Sequence, residues 1–253
     1  MTGDDLIALA AHIDENEPIE ERTLKQRFFS LNLDDIDTQD KLKPLNDAVS
    51  FLQEADVVTV TDGGLELSTM AKETSPLRLA ILQGIRGSAE DSSYDDILML
   101  QAMNDSRFFD HKGELLDELQ AQLNSENWKP VRAQYWTRVM NALGVVTRIN
   151  ASTNITTLLS LDPSLSLTIL YDVLGGDDEA QLSEVLNDID IKYLPVYKDP
   201  GKELLTAYVE AALVRLDETG AIRLQQKSDF GEKVIVGNEG YEAIELIASV
   251  TDS

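Results

Sequence analysis

The sequence predicts a mainly α-helical fold with small β-hairpins, of the α+β class, in which one unit of helices with a closing hairpin occurs three times. Residues 4–11 (DDLIALAA) and 95–102 (DDILMLQA) resemble each other 91 positions apart, which indicates an internal repeat. A second pattern closes each copy. Gly144 and Gly220 follow helical stretches and precede β-branched residues, as left-handed helix caps do, and Asp56 takes that place in the first copy.

The first copy illustrates the predicted unit. After the opening helix, residues 20–31 form a second helix, and Thr38 is placed to cap a third. The third helix has one apolar stripe at spacings of three and four, formed by Leu42, Leu45, Val49 and Leu52. Residues 57–61 and 65–67 are rich in Val, Thr and Leu and flank Asp62-Gly63-Gly64, which predicts a hairpin with a tight turn.

The second and third copies are predicted in the same way, working back from their hairpins. The second has helices at 94–103, 113–123 and 131–143, and a hairpin that runs from 142–149 to 155–161. The third has helices at 165–174, 178–187 and 202–216, a short strand at 191–196, and a hairpin that joins 218–224 to 233–236. A bridging helix at 76–86 and a closing helix at 241–249 complete the prediction.

Three helices followed by a hairpin is the plan of a winged helix, and the chain resembles the winged-helix superfamily over nearly its whole length. The predicted organisation is therefore tandem winged helix-turn-helix units at 1–73, 92–162 and 163–253, with the bridging helix in 74–91. The resemblance lies in the order of elements and not in a sequence signature. Winged helices serve both as DNA readers and as protein-interaction modules. The alternative is a generic α-helical protein with three incidental hairpins.

Charge is distributed unevenly along the chain. It has 46 Asp and Glu against 21 Lys and Arg, a net charge of −25, which argues against general binding of nucleic acid. Adaptation to high salt and a basic partner or crowded complex are competing explanations of this acidity. Residues 127–161 form an acid-free stretch, whose only charged residues are Lys129, Arg132, Arg138 and Arg148.

The acid-free stretch contains the third helix and hairpin of the second copy, where a winged helix would meet DNA. A helical wheel places Tyr135 on the broad apolar side of this helix. It places polar side chains that can bond base edges on the opposite side: Gln134, Thr137, Arg138 and Asn141. Further contacts with phosphates or polar groups are predicted at Lys129, Arg148, Asn150 and Asn154. The other two third helices have carboxylates on their predicted outer faces, which repel phosphates. These faces include Asp47 and Glu54 in the first copy and Thr206, Glu210 and Asp217 in the third. The alternative is a protein interface, since interface cores have few charges and many aromatic and Arg side chains, and Trp128, Tyr135 and Trp136 fit that composition.

The sequence offers no convincing catalytic constellation. It has no Cys, and its two His residues, His12 and His111, have no metal-binding spacing, so we expect no enzyme, no cofactor and no metal. Without a signal peptide or long apolar run, an intracellular, cytoplasmic protein with no membrane contact is expected, and nucleoid association is compatible with it.

The predicted function is a non-catalytic adaptor or subunit of a DNA-associated complex, whose partners are other protein subunits or a second copy. The resemblance suggests chromosome maintenance or mobile-element defence as its setting. The alternative is a transcriptional regulator that binds double-stranded DNA through the central unit.

Overall fold

The computed structural model describes residues 3–29, 39–88, 108–110, 121, 130–150, 155–198, 204–228 and 231–248. These residues form helices and small antiparallel sheets, as predicted for the α+β class. The chain divides into two compact units, residues 1–91 and 92–253. The second unit contains both the second and the third predicted copies, and the division between those copies stays a prediction.

The first unit has the predicted helices and hairpin. Its described helices are α1 (Gly3–Asn16), α2 (Glu21–Phe29), α3 (Gln39–Glu54), α4 (Thr69–Glu73) and α5 (Leu77–Gly87). Its strands β1 (Val58–Thr61) and β2 (Gly64–Leu67) pair in antiparallel fashion. The short helix α4 was not predicted, and the Ser68 side chain caps it by accepting from the Ala71 amide at 3.1 Å. Helix α5 is the predicted bridging helix, and it contributes buried Leu79, Ile81 and Ile85 to this unit.

The second unit alternates helices with short strands. Its described helices are α6 (Pro130–Leu143), α7 (Pro163–Leu174), α8 (Leu182–Lys192) and α9 (Ala207–Glu218). Its strands are β3 (Phe108–Asp110), β4 (Val146–Asn150), β5 (Ile155–Leu159), β6 (Glu179–Gln181), β7 (Ile222–Gln225), β8 (Val234–Val236), β9 (Glu239–Tyr241) and β10 (Ala243–Leu246). The predicted hairpin of the second copy is confirmed by the pairing of β4 with β5.

One sheet order is common to the three predicted copies. In the second copy the order is β3-β5-β4, and in the third it is β6-β10-β7, so the last strand lies between the two earlier ones. In the first copy the early strand is a single residue, Ile19, which bridges Leu65 of β2 while β2 pairs with β1. The strands β3 and β6 were not predicted, because three residues are too few to show a period of two.

The end of the third helix is also alike in the three copies. Asp56, Gly144 and Gly220 have φ of 50°, 85° and 71°, which confirms the predicted left-handed positions. The next residue donates its amide hydrogen five residues back in each case: Val57 to Leu52 at 2.8 Å, Val145 to Met140 at 2.8 Å, and Ala221 to Leu216 at 2.9 Å. The three copies therefore share one backbone turn from helix to strand.

The prediction for the C-terminal part of the third copy was wrong. The predicted closing helix at 241–249 is not formed by its described residues, 241–248; they begin in β9 and continue through β10. The strand β7 pairs with β10, while β8 pairs with β9 in a separate two-stranded sheet, so the predicted hairpin of 218–224 with 233–236 does not form. Pairing of β10 with both β6 and β7 outweighs the local preference of its Ala, Glu and Leu residues for helix.

The predicted strand at 191–196 was wrong as well. Helix α8 starts later than predicted, because residues 179–181 form β6, and it ends at Lys192. Beyond it the Tyr193 side chain is buried and donates from its hydroxyl to Asp172 on α7 at 2.5 Å. Among the described residues of this connection, 193–198 and 204–206, extended pairing is limited to the bridge between Tyr197 and Leu205.

Candidate interface on helix α6

Helix α6 packs into the second unit through one apolar stripe. Trp136, Met140 and Leu143 are fully buried, and they recur at the spacing of three to four that places side chains on one face. Because Trp136 is part of the core, it does not belong to the predicted protein interface.

The predicted orientation of α6 was partly wrong. Thr137 is only 1% exposed, so it does not lie on the outer face and cannot contact a base edge from where it is. Tyr135, which the wheel assigned to the apolar side, is 46% exposed. The buried face is therefore turned away from Tyr135 and toward Thr137. Apolar residues occur on so much of this helix that their pattern alone did not fix the centre of the stripe.

Tyr135 and Arg138 form a pair on the outer face of α6. The guanidinium carbon of Arg138 lies 5.8 Å from the centroid of the Tyr135 ring, within the range of a cation–π contact. Arg138 and the neighbouring Gln134 are half-buried. The contact stabilises one position of the long Arg side chain, which lowers the entropy that Arg138 would lose on binding a partner.

Asn141 connects α6 to the following strand. Its Oδ1 atom accepts a hydrogen bond from the backbone amide of Arg148 at 3.3 Å, while the residue as a whole stays exposed. Bidentate recognition of adenine uses both the oxygen and the NH₂ group of an Asn side chain. Since the oxygen already bonds β4, Asn141 is less suited to read adenine than the sequence indicated.

Arg148 is half-buried on β4, and its Nε atom is buried with no hydrogen-bond partner among the described residues. The structure brings Gln134, Arg138 and Asn141 together on one helix, and the bond from its backbone places Arg148 next to Asn141. Asn150 is the last residue of β4, where its backbone is opposite Ile155. The predicted contacts Lys129 and Asn154 lie outside the described residues, as does Trp128.

The third helices of the other copies have acidic outer faces. On α3, Asp47 and Glu54 are exposed, as predicted. On α9, Glu210 accepts from the Gly237 amide in the turn between β8 and β9 at 2.7 Å, and Asp217 accepts from the Leu224 amide of β7 at 2.9 Å. Thr206, expected on the outer face of α9, is fully buried at its N-terminus instead.

The described residues contain no group of three or more His, Asp or Glu side chains that could hold a metal ion. Among them, no helix has the length and apolarity to cross a membrane. No family model matches the chain, and neither a curated protein nor a solved structure matches it.

Proposed function

We propose that this chain is a tandem winged-helix protein that acts without catalysis as an adaptor or subunit of a DNA-associated protein complex, in chromosome maintenance or mobile-element defence. The repeated sheet order supports the winged-helix proposal, because in each copy the last strand of the sheet pairs both with an early strand or bridge residue and with the strand that follows the third helix. The common left-handed turn after the third helix supports it further.

The observation that carries the adaptor role is the Tyr135–Arg138 pair on an acid-free helix of a chain with net charge −25. Residues that dominate the energy of protein interfaces are most often Trp, Tyr and Arg. Here an exposed Tyr and a stacked Arg lie together, with the amides of Gln134 and Asn141 on the same side. This composition favours a protein partner over a phosphate backbone, which requires several separate cations.

The alternative is a transcriptional regulator in which α6 binds duplex DNA. Gln134 and Arg138 lie on the outer face, where their side chains can donate to base edges, and this observation supports the alternative. Burial of Thr137 and the bond from Arg148 to Asn141 weaken it, since they affect two of the four predicted base readers.

The absence of Cys permits a specific crosslinking experiment. A single cysteine at Tyr135→Cys, labelled with a maleimide benzophenone, is irradiated in extract from the native host, and crosslinked proteins are identified by mass spectrometry. The matched control is Asp47→Cys, at an exposed site on α3. We expect a defined protein to be crosslinked from position 135 and not from position 47. The yield of this crosslink should fall when Arg138→Ala is added. Recovery of a lone monomer from both would contradict the adaptor role.

Fluorescence anisotropy against mixed duplex DNA at several salt concentrations tests the alternative. An adaptor that contacts only protein gives no binding even at low salt. Tight, salt-dependent binding that Arg138→Ala and Asn141→Ala abolish would support the regulator and exclude a purely protein-binding role for this face.

A further inference from the structure

Among the described residues, none pairs with the outer edge of strand β1 in the first unit. Val60 of β1 is opposite Leu65 of β2, and both polar backbone groups of Leu65 bond Ile19 on the far side, at 2.9 Å and 3.0 Å. In an antiparallel pair, residues opposite each other point their N–H and C=O groups either both inward or both outward. The N–H and C=O of Val60 therefore point away from β2, toward the outer edge.

The other two copies close the equivalent position. Arg148 and Leu224 each lie four residues after the left-handed glycine, as Val60 lies four after Asp56. The amide of Arg148 donates to Asn141, and that of Leu224 donates to Asp217, so a side chain of the third helix covers the strand edge at this point.

In the first copy Gln53 occupies the place of Asn141 and Asp217, three residues before the left-handed position. Its side chain is one methylene longer, and no described residue accepts the Val60 amide hydrogen. Within the described part of the chain, the edge of β1 is thus open where the edges of β4 and β7 are closed. Proteins usually block exposed strand edges, since unpaired backbone groups attract another strand.

The side chains of β1 suit strand pairing. Val60 is 65% exposed, and its neighbours Thr59 and Thr61 are exposed too. The strand sequence Val-Thr-Val-Thr contains only β-branched residues and no charge, so it lacks the charged residue that commonly prevents edge-to-edge association.

We propose that the outer edge of β1 binds an extended, cationic segment of a partner protein, which adds a strand to the β1–β2 sheet. An extended backbone supplies the acceptor and the donor that the N–H and C=O of Val60 lack, and an alternating apolar side chain packs on Val60. This proposal concerns the first unit and does not depend on the face of α6.

Charge identifies the partner segment as cationic. Glu54, Asp56 and Asp62 are exposed close to Val60 in the chain, and none of them has an ion pair with another described residue. Residues 1–91 contain 19 acidic and 8 basic residues. A second copy of the chain would bring equal negative charge to this edge. A four-residue edge also buries far less than the roughly 800 Å² per partner of a stable interface.

The experiment uses the full chain and a fluorescein-labelled peptide of about nine residues that alternates Val or Thr with Lys. A peptide with Glu in place of Lys tests charge. A peptide with N-methylated alternate amides tests the backbone bonds. Gln53→Asn introduces the acceptor that Asn141 supplies in the second copy and closes the edge without changing charge. Gln53→Ala is its control, because it removes the side chain and supplies no acceptor.

We expect the Lys peptide to bind and to slow hydrogen exchange at the Val60 amide. Binding should weaken at least about tenfold with Gln53→Asn, the effect of losing one or two backbone hydrogen bonds, and persist with Gln53→Ala. The N-methylated and Glu peptides should bind weakly.

Equal binding of the Lys and N-methylated peptides would reduce the effect to charge attraction and overturn the proposal. So would binding that Gln53→Asn leaves unchanged, or slow exchange of the Val60 amide in the free chain, which would mean that another segment covers the edge. Self-association that Val60→Lys abolishes would assign the edge to a second copy instead. The crosslinking experiment at position 135 does not depend on any of these outcomes. If the β1 proposal fails, the adaptor proposal can still be tested separately.

Discussion

Asp217 accepts a hydrogen bond from the backbone amide of Leu224 at 2.9 Å and thereby joins the end of α9 to β7. Asn141 makes the same bond to Arg148 at 3.3 Å, between α6 and β4. Both acceptors lie three residues before a left-handed glycine, and both donors lie four residues after it. A single turn geometry therefore positions a side-chain acceptor over the edge of the following strand.

Replacing Asp217 with alanine tests this bond. Asp217→Ala leaves the half-buried Leu224 amide without its acceptor, and we expect the free energy of unfolding to fall by about 1 to 2 kcal/mol. Asp217→Asn retains an oxygen acceptor and should cost less. Urea denaturation followed by circular dichroism measures the difference. Equal loss in both variants would mean that the carboxylate acts through its charge and not through the bond.

Asp56 is the residue with positive φ that breaks the pattern of glycines. Its φ is 50°, it is exposed, and the equivalent positions in the other copies are glycine. Asp56→Gly removes the steric cost of a side chain at positive φ, which stabilises the folded state. The greater freedom of glycine in the unfolded chain offsets part of this gain. We expect a gain of up to about 1 kcal/mol in the free energy of unfolding of the first unit.

The reverse change at the matching site is Gly220→Ala. An added Cβ at Gly220 meets no atom within 4 Å, so the substitution changes only the conformational preference at φ of 71°. We expect a loss of about 1 kcal/mol. If Asp56→Gly and Gly220→Ala change the free energy of unfolding in the same direction, backbone conformation at these positions is not the cause.

The helix ends and two of the hairpins were predictable because their signals are local. Glycine at a left-handed cap followed by β-branched residues describes Gly144 within a few positions of sequence, and β4 follows at once. The strand β10 was not predictable in this way. Its partners in β6 lie about 60 positions earlier, as in the pair Ile244 and Ala180, and such distant pairing leaves no local period to read.

The outer face of α6 shows how far the candidate site could be predicted from the sequence. Tyr135 has an apolar ring and a polar hydroxyl, so its type is compatible with either side of an amphipathic helix. Thr137 is polar by type but lies beside Trp136 and is buried. The spacing of the large apolar residues Trp136, Met140 and Leu143 identifies the buried stripe correctly when they are given more weight than the smaller apolar residues. Contacts such as that of Arg138 with Tyr135 depend on side-chain positions that spacing does not give.

Gly84 on α5 allows close approach of another backbone segment. A Cβ added there would lie 1.8 Å from the carbonyl oxygen of Ala55, and a backbone atom cannot move aside as a flexible side chain can. We expect Gly84→Ala to lower the free energy of unfolding of the first unit by about 3 kcal/mol or more.

Gly87→Ala is the control on the same helix. Gly87 is exposed, and a Cβ there meets no atom within 4 Å, so the substitution should be neutral or stabilising through better helix propensity. Urea midpoints of the two variants give the comparison. A similar small effect at both positions would show that α5 does not pack closely on the end of α3.

Glu17 joins three elements of the first unit, and its contacts predict that the stability of this unit depends on pH. Its carboxylate accepts from Lys72 Nζ on α4 at 2.8 Å and from the Leu67 amide at the end of β2 at 2.8 Å, just after α1 ends. Partial burial acts to raise the pKa of Glu17, but these hydrogen bonds outweigh it, and the pKa is lowered from its usual value. The hydrogen bond to Glu17, which outweighs partial desolvation, raises the pKa of Lys72.

A lowered folded-state pKa means that the unfolded chain binds the proton more readily. The stability from Glu17 is then fully present above its unfolded pKa, about 4.3, and is lost as pH falls through the lower folded value. The Lys72 contribution has the opposite sign. It is present below the unfolded pKa of Lys, about 10.4, and is lost as pH rises through the raised folded value.

Glu17→Gln removes the charge while keeping an oxygen that can accept from the Leu67 amide. We expect the wild type to be more stable than this variant near neutral pH, with a difference that shrinks at acid pH below about 4 and again at strongly alkaline pH. Urea denaturation of both proteins across this range measures the difference. The control is Glu73→Gln, an exposed carboxylate on α4 that changes net charge equally. A Glu17→Gln difference that matches the control at every pH would mean that the chain responds only to its total charge and that the bonds to Lys72 and Leu67 add nothing.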